Sequence, residues 1–188
     1  MASGNRDDLE RIAPGIRLVV LDVAGVMTDG GIYLGATASG ERVEMKRFEI
    51  TDGLGIRLLR DADIEVAIVT GRESGSVSLR AEELGITECY QDASATKLPI
   101  VERLLEKLSI DWIETAFLAD DLADLPVLRR VGLPAAVANA APEVLALARW
   151  VGKRRGGEGA VREFAEAVLT ARGEWANRVA AYERERTP

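Results

Sequence analysis

Short apolar runs rich in β-branched residues, helix-like stretches alternating with them, and a length of 188 residues predict an α/β protein. Its expected architecture is a single doubly wound parallel sheet with a β-hairpin insertion after the first strand. The first strand is Ile16 to Leu21 (IRLVVL), apolar apart from Arg17, the pattern of a strand covered on both faces. Gly30 to Asp52 then breaks the alternation. Its β-rich stretches Ile32 to Leu34 and Val43 to Ile50 flank a small-residue turn at Ala36 to Gly40, which reads as a hairpin. Further strands are expected at Glu65 to Val69, Glu88 to Tyr90, Thr115 to Leu118 and Leu133 to Val137. Helices are expected at Leu54 to Arg60, Ser76 to Leu84, Leu98 to Leu108 and Leu122 to Arg130. In the third of these, Ile100, Val101, Leu104, Leu105 and Leu108 share one face, with Glu102, Arg103, Glu106 and Lys107 opposite. Gly156-Gly157-Glu158-Gly159 forms a loop before a helix from Val161 to Thr170. Residues 1–15 are an N-terminal extension, 16–170 the domain with its hairpin at about 30–52, and 171–188 a C-terminal tail. Within the tail, Glu174 to Arg186 is either frayed or a helix docking on a partner chain.

Composition excludes several chemistries. The chain has no histidine, which removes Ser-His-Asp and Cys-His catalysis, His-ligated zinc and phosphohistidine intermediates. One cysteine, Cys89, forms no intramolecular disulfide and fits a reducing, cytoplasmic compartment. A net charge of −7 argues against nucleic-acid binding, since only Lys153, Arg154 and Arg155 form a tight basic run. The first residues do not read as a secretory signal, and no apolar run approaches the roughly 18 residues of a membrane span.

Open α/β sheets bind ligands beyond the carboxyl ends of their strands, where strand order reverses. Asp22 follows the first strand, Thr70-Gly71-Arg72 the second, Lys97 the third and Asp120-Asp121-Leu122-Ala123-Asp124 the fourth. Taken singly, each is ordinary: an aspartate after a strand is a common turn former, and acidic residues favour helix N-termini. Jointly they suit phosphoryl transfer. Asp22 and Asp120 offer oxygen ligands to Mg²⁺, Lys97 offsets phosphate charge, and Thr70 with the backbone amides near Val23 and Ala24 donates to phosphoryl oxygens. Asp22 is then placed to attack phosphorus and form an aspartyl-phosphate.

These motifs resemble the haloacid dehalogenase superfamily of phosphohydrolases, whose fold is Rossmann-like. Within it they are similar to the capless branch of 3-deoxy-D-manno-octulosonate 8-phosphate and nonulosonate 9-phosphate phosphatases. The resemblance covers roughly Ile16 to Thr170, through the Asp22 motif, the hairpin, Asp52-Gly53-Leu54-Gly55-Ile56, Thr70-Gly71-Arg72, Lys97, the acidic motif and Gly156 to Glu163. It implies Mg²⁺ held by Asp22, the Ala24 carbonyl, Asp120 and Asp121, catalytic Asp22 and Lys97, and phosphate or substrate binding by Thr70, Gly71, Arg72 and Lys97. It also implies a phosphorylated 2-keto-3-deoxy sugar acid as substrate. The implied assembly is a homotetramer in which hairpins meet and a neighbour covers the open site, with Trp175, Tyr182 and the Gly156 to Gly159 loop as candidates.

The sequence departs from this pattern at Ala24, where the family carries the aspartate that protonates the leaving alkoxide and activates water. Impaired catalysis is expected, about 10² to 10⁴ in rate. The alternatives are a silenced homologue serving as a binding or oligomerisation subunit, altered chemistry, or proton transfer by Asp29 or Glu49. Glu158 resembles the nonulosonate side and Arg72 the octulosonate side, so chain length stays open. Ala119 stands where the family has glycine.

Overall fold

The computed structural model describes residues 3–187. Helix α1 (Ser3–Ile12) leads into β1 (Leu18–Leu21), and the hairpin follows as β2 (Tyr33–Ala36) and β3 (Arg42–Met45). Next come α2 (Ile50–Arg60), β4 (Glu65–Thr70), α3 (Gly75–Glu83), β5 (Cys89–Gln91), α4 (Leu98–Leu108) and β6 (Thr115–Ala119). The chain closes with α5 (Leu125–Leu128), β7 (Leu133–Ala136), α6 (Pro142–Leu147), β8 (Trp150–Val151), α7 (Ala160–Ala171) and α8 (Trp175–Arg184).

Six strands form one parallel sheet in the order β5-β4-β1-β6-β7-β8, and the hairpin stands apart as a two-stranded antiparallel unit. Chain order therefore runs outward from β1 first through β4 and then through β6. Leu21 aligns with Ile68 on one side and Leu118 on the other, so the carboxyl ends of β1, β4 and β6 share one edge. All four β1 side chains are fully buried, each worth about 1.5 to 3 kcal/mol of burial. The core continues through Phe117 and Phe164, whose ring lies 4.9 Å from that of Trp150.

Several boundaries differ from the sequence expectation for local reasons. The second hairpin stretch pairs only to Met45, because Glu49 accepts from the Thr51 amide and starts α2 at Ile50. Phe48 instead makes an isolated antiparallel bridge to Thr28, tying the hairpin's exit to the loop after β1. The expected helix at Leu122 to Arg130 is a 3₁₀ turn, Leu122–Asp124, followed by the short α5 with Pro126 in its first turn. Helices α1 and α6 and strand β8 carry too little periodic signal to be read in advance. Leu9 and Ala13 are nonetheless buried, and α1 packs on α7 and β8.

The stretch left between a frayed tail and a partner-docking helix is α8, and it docks on its own chain. Arg162 lies over the Trp175 ring at 5.1 Å, Arg57 over Tyr182 at 5.5 Å, and Arg57 pairs with Glu185 at 2.5 Å.

Candidate active site

Asp22 leaves β1 in an extended conformation, and residues 23–27 curl into a wide turn closed by the Thr28 amide donating to the Val23 carbonyl at 3.0 Å. The turn depends on Gly25, which has φ +86°; a Cβ there would lie 2.0 Å from Asp120 Oδ2. Only glycine lets the acidic loop after β6 approach the Asp22 loop this closely. Lys97, at the entry to α4, is buried and reaches both, its Nζ 2.5 Å from Asp22 Oδ1 and paired with Asp124 Oδ1. Asp124 Oδ2 in turn accepts from the Asp120 amide at 3.4 Å. Carboxylate oxygens of Asp22, Asp120 and Asp124 all lie within 4.8 Å of one another.

This crowding governs the electrostatics. Burial, reinforced by Asp22, Asp124 and Asp121, pushes the Asp120 carboxyl up to about 8. Burial and then Asp22 raise Asp124 to about 6, against the opposing pull of Lys97. For Lys97 burial opposes the charge, but the two carboxylates outweigh it and its pKa is raised. One ammonium thus faces three carboxylates, and the charge left over is what a hard divalent cation with oxygen ligands would neutralise. The donor set fits magnesium.

Thr70, the last residue of β4, is buried at the same sheet edge. Gly71 abuts the loop before Lys97, where a Cβ would come 2.8 Å from that of Ala95. Ala24 is half-buried within the Asp22 turn. Two predicted residues point elsewhere. Asp121 is exposed and its carboxylate accepts from the Leu122 amide at 2.8 Å, while Arg72 reaches the hairpin and pairs with Glu44 at 2.7 Å. Asp29 accepts from the Gly31 amide, and Glu49 caps α2 and pairs with Arg47, so both are engaged locally.

The glycine loop closes over the back of the turn. The Gly157 amide donates to Val26 O at 3.0 Å, Arg47 donates to Gly157 O at 2.8 Å, and a Cβ on Gly156 would lie 1.7 Å from Gly25 O. Sequence reasoning noted Asp124 in the acidic motif but gave it no role. Its spacing of four from Asp120 was the available signal, since one helical turn returns it to the same side. Arg47 and Glu44 were missed, as nothing local marks a hairpin residue as reaching another loop.

Comparison with known proteins agrees with this geometry. Residues 91–164 match the family model of haloacid dehalogenase-like hydrolases. A 3-deoxy-D-manno-octulosonate 8-phosphate phosphatase of Escherichia coli is 48% identical over 161 residues, 86% of this chain and 83% of that protein. The solved structure of such a phosphatase from Yersinia pestis is 44% identical with a TM-score of 0.84, covering 90% of this chain and 89% of that one. A third, from Moraxella catarrhalis, was solved with a magnesium ion, a phosphate ion and KDO. It is 35% identical with a TM-score of 0.87, covering 94% of this chain and 98% of its own.

Proposed function

Since the chain belongs to the haloacid dehalogenase-like hydrolases, within the family of 3-deoxy-D-manno-octulosonate 8-phosphate phosphatases, we propose that it is a magnesium-dependent phosphatase of a 2-keto-3-deoxy sugar acid phosphate. The substrate is octulosonate 8-phosphate or nonulosonate 9-phosphate, and the reaction runs through an aspartyl-phosphate on Asp22. The buried contact of Asp22 with Lys97, beside Asp120 and Asp124, carries this reading.

Asp22 and Asp120 with the Ala24 carbonyl would hold magnesium, Asp121 contributing through water, and the ion supplies charge neutralisation between nucleophile and phosphoryl oxygens. Lys97 fixes the Asp22 carboxylate and adds positive charge where the phosphoryl group enters, while Asp124 holds Lys97. Thr70 and the amides of the Asp22 turn donate to phosphoryl oxygens. An Asp22 oxygen bonds to phosphorus as the bond to the sugar oxygen breaks. Water then attacks phosphorus, releasing phosphate and restoring Asp22.

The departing alkoxide needs a proton and the attacking water must lose one. Ala24 can do neither, so bulk water serves and both steps slow. Phosphate release with Mg²⁺ from octulosonate 8-phosphate, compared between this chain and Ala24→Asp, tests the point. A gain of about 10² to 10⁴ is expected, with Asp22→Asn abolishing release in both backgrounds. High turnover by the unsubstituted chain would sink the impairment. No gain despite magnesium binding would favour the second reading, suggested by Ala24 itself, of a silenced homologue that binds sugar phosphate or supports assembly. The exposed apolar side chains of the hairpin support a homotetramer, and a lone half-buried Cys89 accords with the cytoplasm.

A further inference from the structure

Ala24 removes a proton carrier from the Asp22 turn, and the carboxylates best placed in sequence to replace it are committed elsewhere. Asp29 Oδ1 accepts from the Gly31 amide at 2.8 Å, and Glu49 pairs with Arg47 at 3.2 Å while accepting from the Thr51 amide. Asp121 Oδ1 accepts from the Leu122 amide at 2.8 Å, and Asp52 Oδ1 from the Arg162 amide at 2.9 Å. Asp120 and Asp124 belong to the cation-binding cluster around Lys97. Within the turn, Thr28 is fully buried and its hydroxyl donates to the Val23 carbonyl at 3.1 Å.

What remains is complete for part of the chemistry. Asp22 and Lys97 are buried and in contact at 2.5 Å, and Thr70 is buried at the same sheet edge. Binding a phosphoryl group there and presenting a carboxylate to phosphorus moves no proton. Protons enter at two points only: onto the departing oxygen and off the attacking water. The first depends on the phosphoryl donor and the second does not. An alkoxide leaving a sugar phosphate is about as basic as hydroxide and must be protonated. A carboxylate leaving an acyl phosphate is ionised at neutral pH and departs as it is.

We infer that this site is a phosphoryl acceptor for small acyl phosphates, which phosphorylate Asp22 to give an aspartyl-phosphate that persists. This rests on the phosphatase reading, whose nucleophile it uses, and goes beyond it in donor class and outcome. An Asp22 oxygen bonds to phosphorus as the bond from phosphorus to the acyl oxygen breaks, and the electron pair leaves on the released carboxylate. No proton is transferred and nothing is oxidised. The bond formed is of the same kind as the bond broken, so the transfer is close to balanced in energy, whereas a phosphate ester would have to make an acyl phosphate uphill. Emptying the site joins a water oxygen to phosphorus, breaks the bond to Asp22 and sheds a proton. With Ala24 in place that proton goes to bulk water, a loss of about 10² to 10⁴ in rate. Acyl phosphates therefore fill the site faster than it empties.

Intact-mass spectrometry tests this on the whole chain. With acetyl phosphate and Mg²⁺ the unsubstituted protein should gain the mass of one phosphoryl group, mapped to Asp22 and removed by neutral hydroxylamine, while Asp22→Asn gains none. The label should survive gel filtration away from the donor and decay about 10² to 10⁴ times more slowly than in Ala24→Asp. Label on another residue, label that vanishes when the donor is removed, or equal decay in the two proteins would overturn the inference. Equal labelling by octulosonate 8-phosphate would also overturn it, since proton supply would then not limit the first step. Phosphate release from octulosonate 8-phosphate by Ala24→Asp reports separately on the phosphatase reading. Release by that variant with no label on the unsubstituted protein overturns the acceptor inference alone. Absence of both, with Ala24→Asp folded, sinks the phosphatase reading as well.

Discussion

Lys97 is the residue on which the site's charge balance turns. Its ammonium is buried and pairs with Asp22 and Asp124, and removing it leaves three carboxylates crowded together with no internal cation. Breaking a buried pair from one side typically costs about 3 to 5 kcal/mol. Lys97→Met should therefore lose roughly 3 kcal/mol in urea denaturation at neutral pH without magnesium. An unchanged midpoint would show that the carboxylates need no such partner. Asp52 poses the opposite problem. It is buried in the first turn of α2, accepts from the Arg162 amide at 2.9 Å, and its second oxygen has no partner. Burial raises its carboxyl from 3.8 to about 6. Between those values the folded chain binds a proton that the unfolded chain does not, so stability from this group falls as pH rises through that window. The change is about 3 kcal/mol across it. Asp52→Asn keeps an acceptor without the charge. Denaturation at pH 4.5 and pH 7 should show a flatter slope for the variant and higher stability at pH 7, and identical slopes would rule out Asp52 as the source.

At the scale of elements, the site is an agreement between loops that no single element specifies. Gly156 lies against the Gly25 carbonyl so tightly that an added methyl must displace one loop, whereas a Cβ on Gly75 meets nothing within 4 Å. Gly156→Ala should cost about 2 kcal/mol, the usual scale for forcing atoms into a packed contact, and should lower phosphatase activity; Gly75→Ala should change neither by much. Thermal melting of the pair, with phosphate release alongside, checks this, and equal tolerance would show that the glycine loop does not brace the Asp22 turn. The same distinction explains what was legible beforehand. The strands β1, β4, β6 and β7 are apolar runs whose burial follows from composition, and Asp22, Thr70 and Asp120 sit at or one residue beyond the carboxyl ends of β1, β4 and β6, so both could be read directly. Asp124 required knowing that a 3₁₀ turn folds it back toward Lys97. Arg72 reads as an active-site arginine by position, yet its partner Glu44 lies across a hairpin whose docking angle no local pattern encodes. Helix α8 shows the same limit, because the arginines that hold it belong to α2 and α7.

For the whole molecule, the two faces of the hairpin divide its work. In the β2–β3 register Leu34 faces Glu44 and Tyr33 faces Met45, so Glu44 turns toward the chain's own Arg72 while Tyr33 and Met45 lie on the opposite face. Those two are a cross-strand pair, 53% and 58% exposed, on an insertion that makes no sheet with the rest of the fold. Full burial of such side chains is worth about 1.5 to 3 kcal/mol each, and the proposed homotetramer, built through the hairpins, would collect that gain in every subunit. A capless site also needs cover, and hairpins gathered at the mouth would bring neighbouring chains close to Arg72. The double substitution Tyr33→Lys with Met45→Lys places like charges on that face without touching Glu44. Light scattering should then show a tetramer for the unsubstituted protein and a smaller species for the variant, with the far-ultraviolet spectrum unchanged. A monomer before substitution, or an undiminished tetramer after it, would place the assembly surface elsewhere. Because Asp22, Lys97 and Asp120 meet within one chain, the dissociated variant should keep affinity for inorganic phosphate with Mg²⁺ while losing whatever a neighbour adds by excluding water. That loss would register as a lower rate of phosphate release from the sugar phosphate at unchanged affinity for inorganic phosphate.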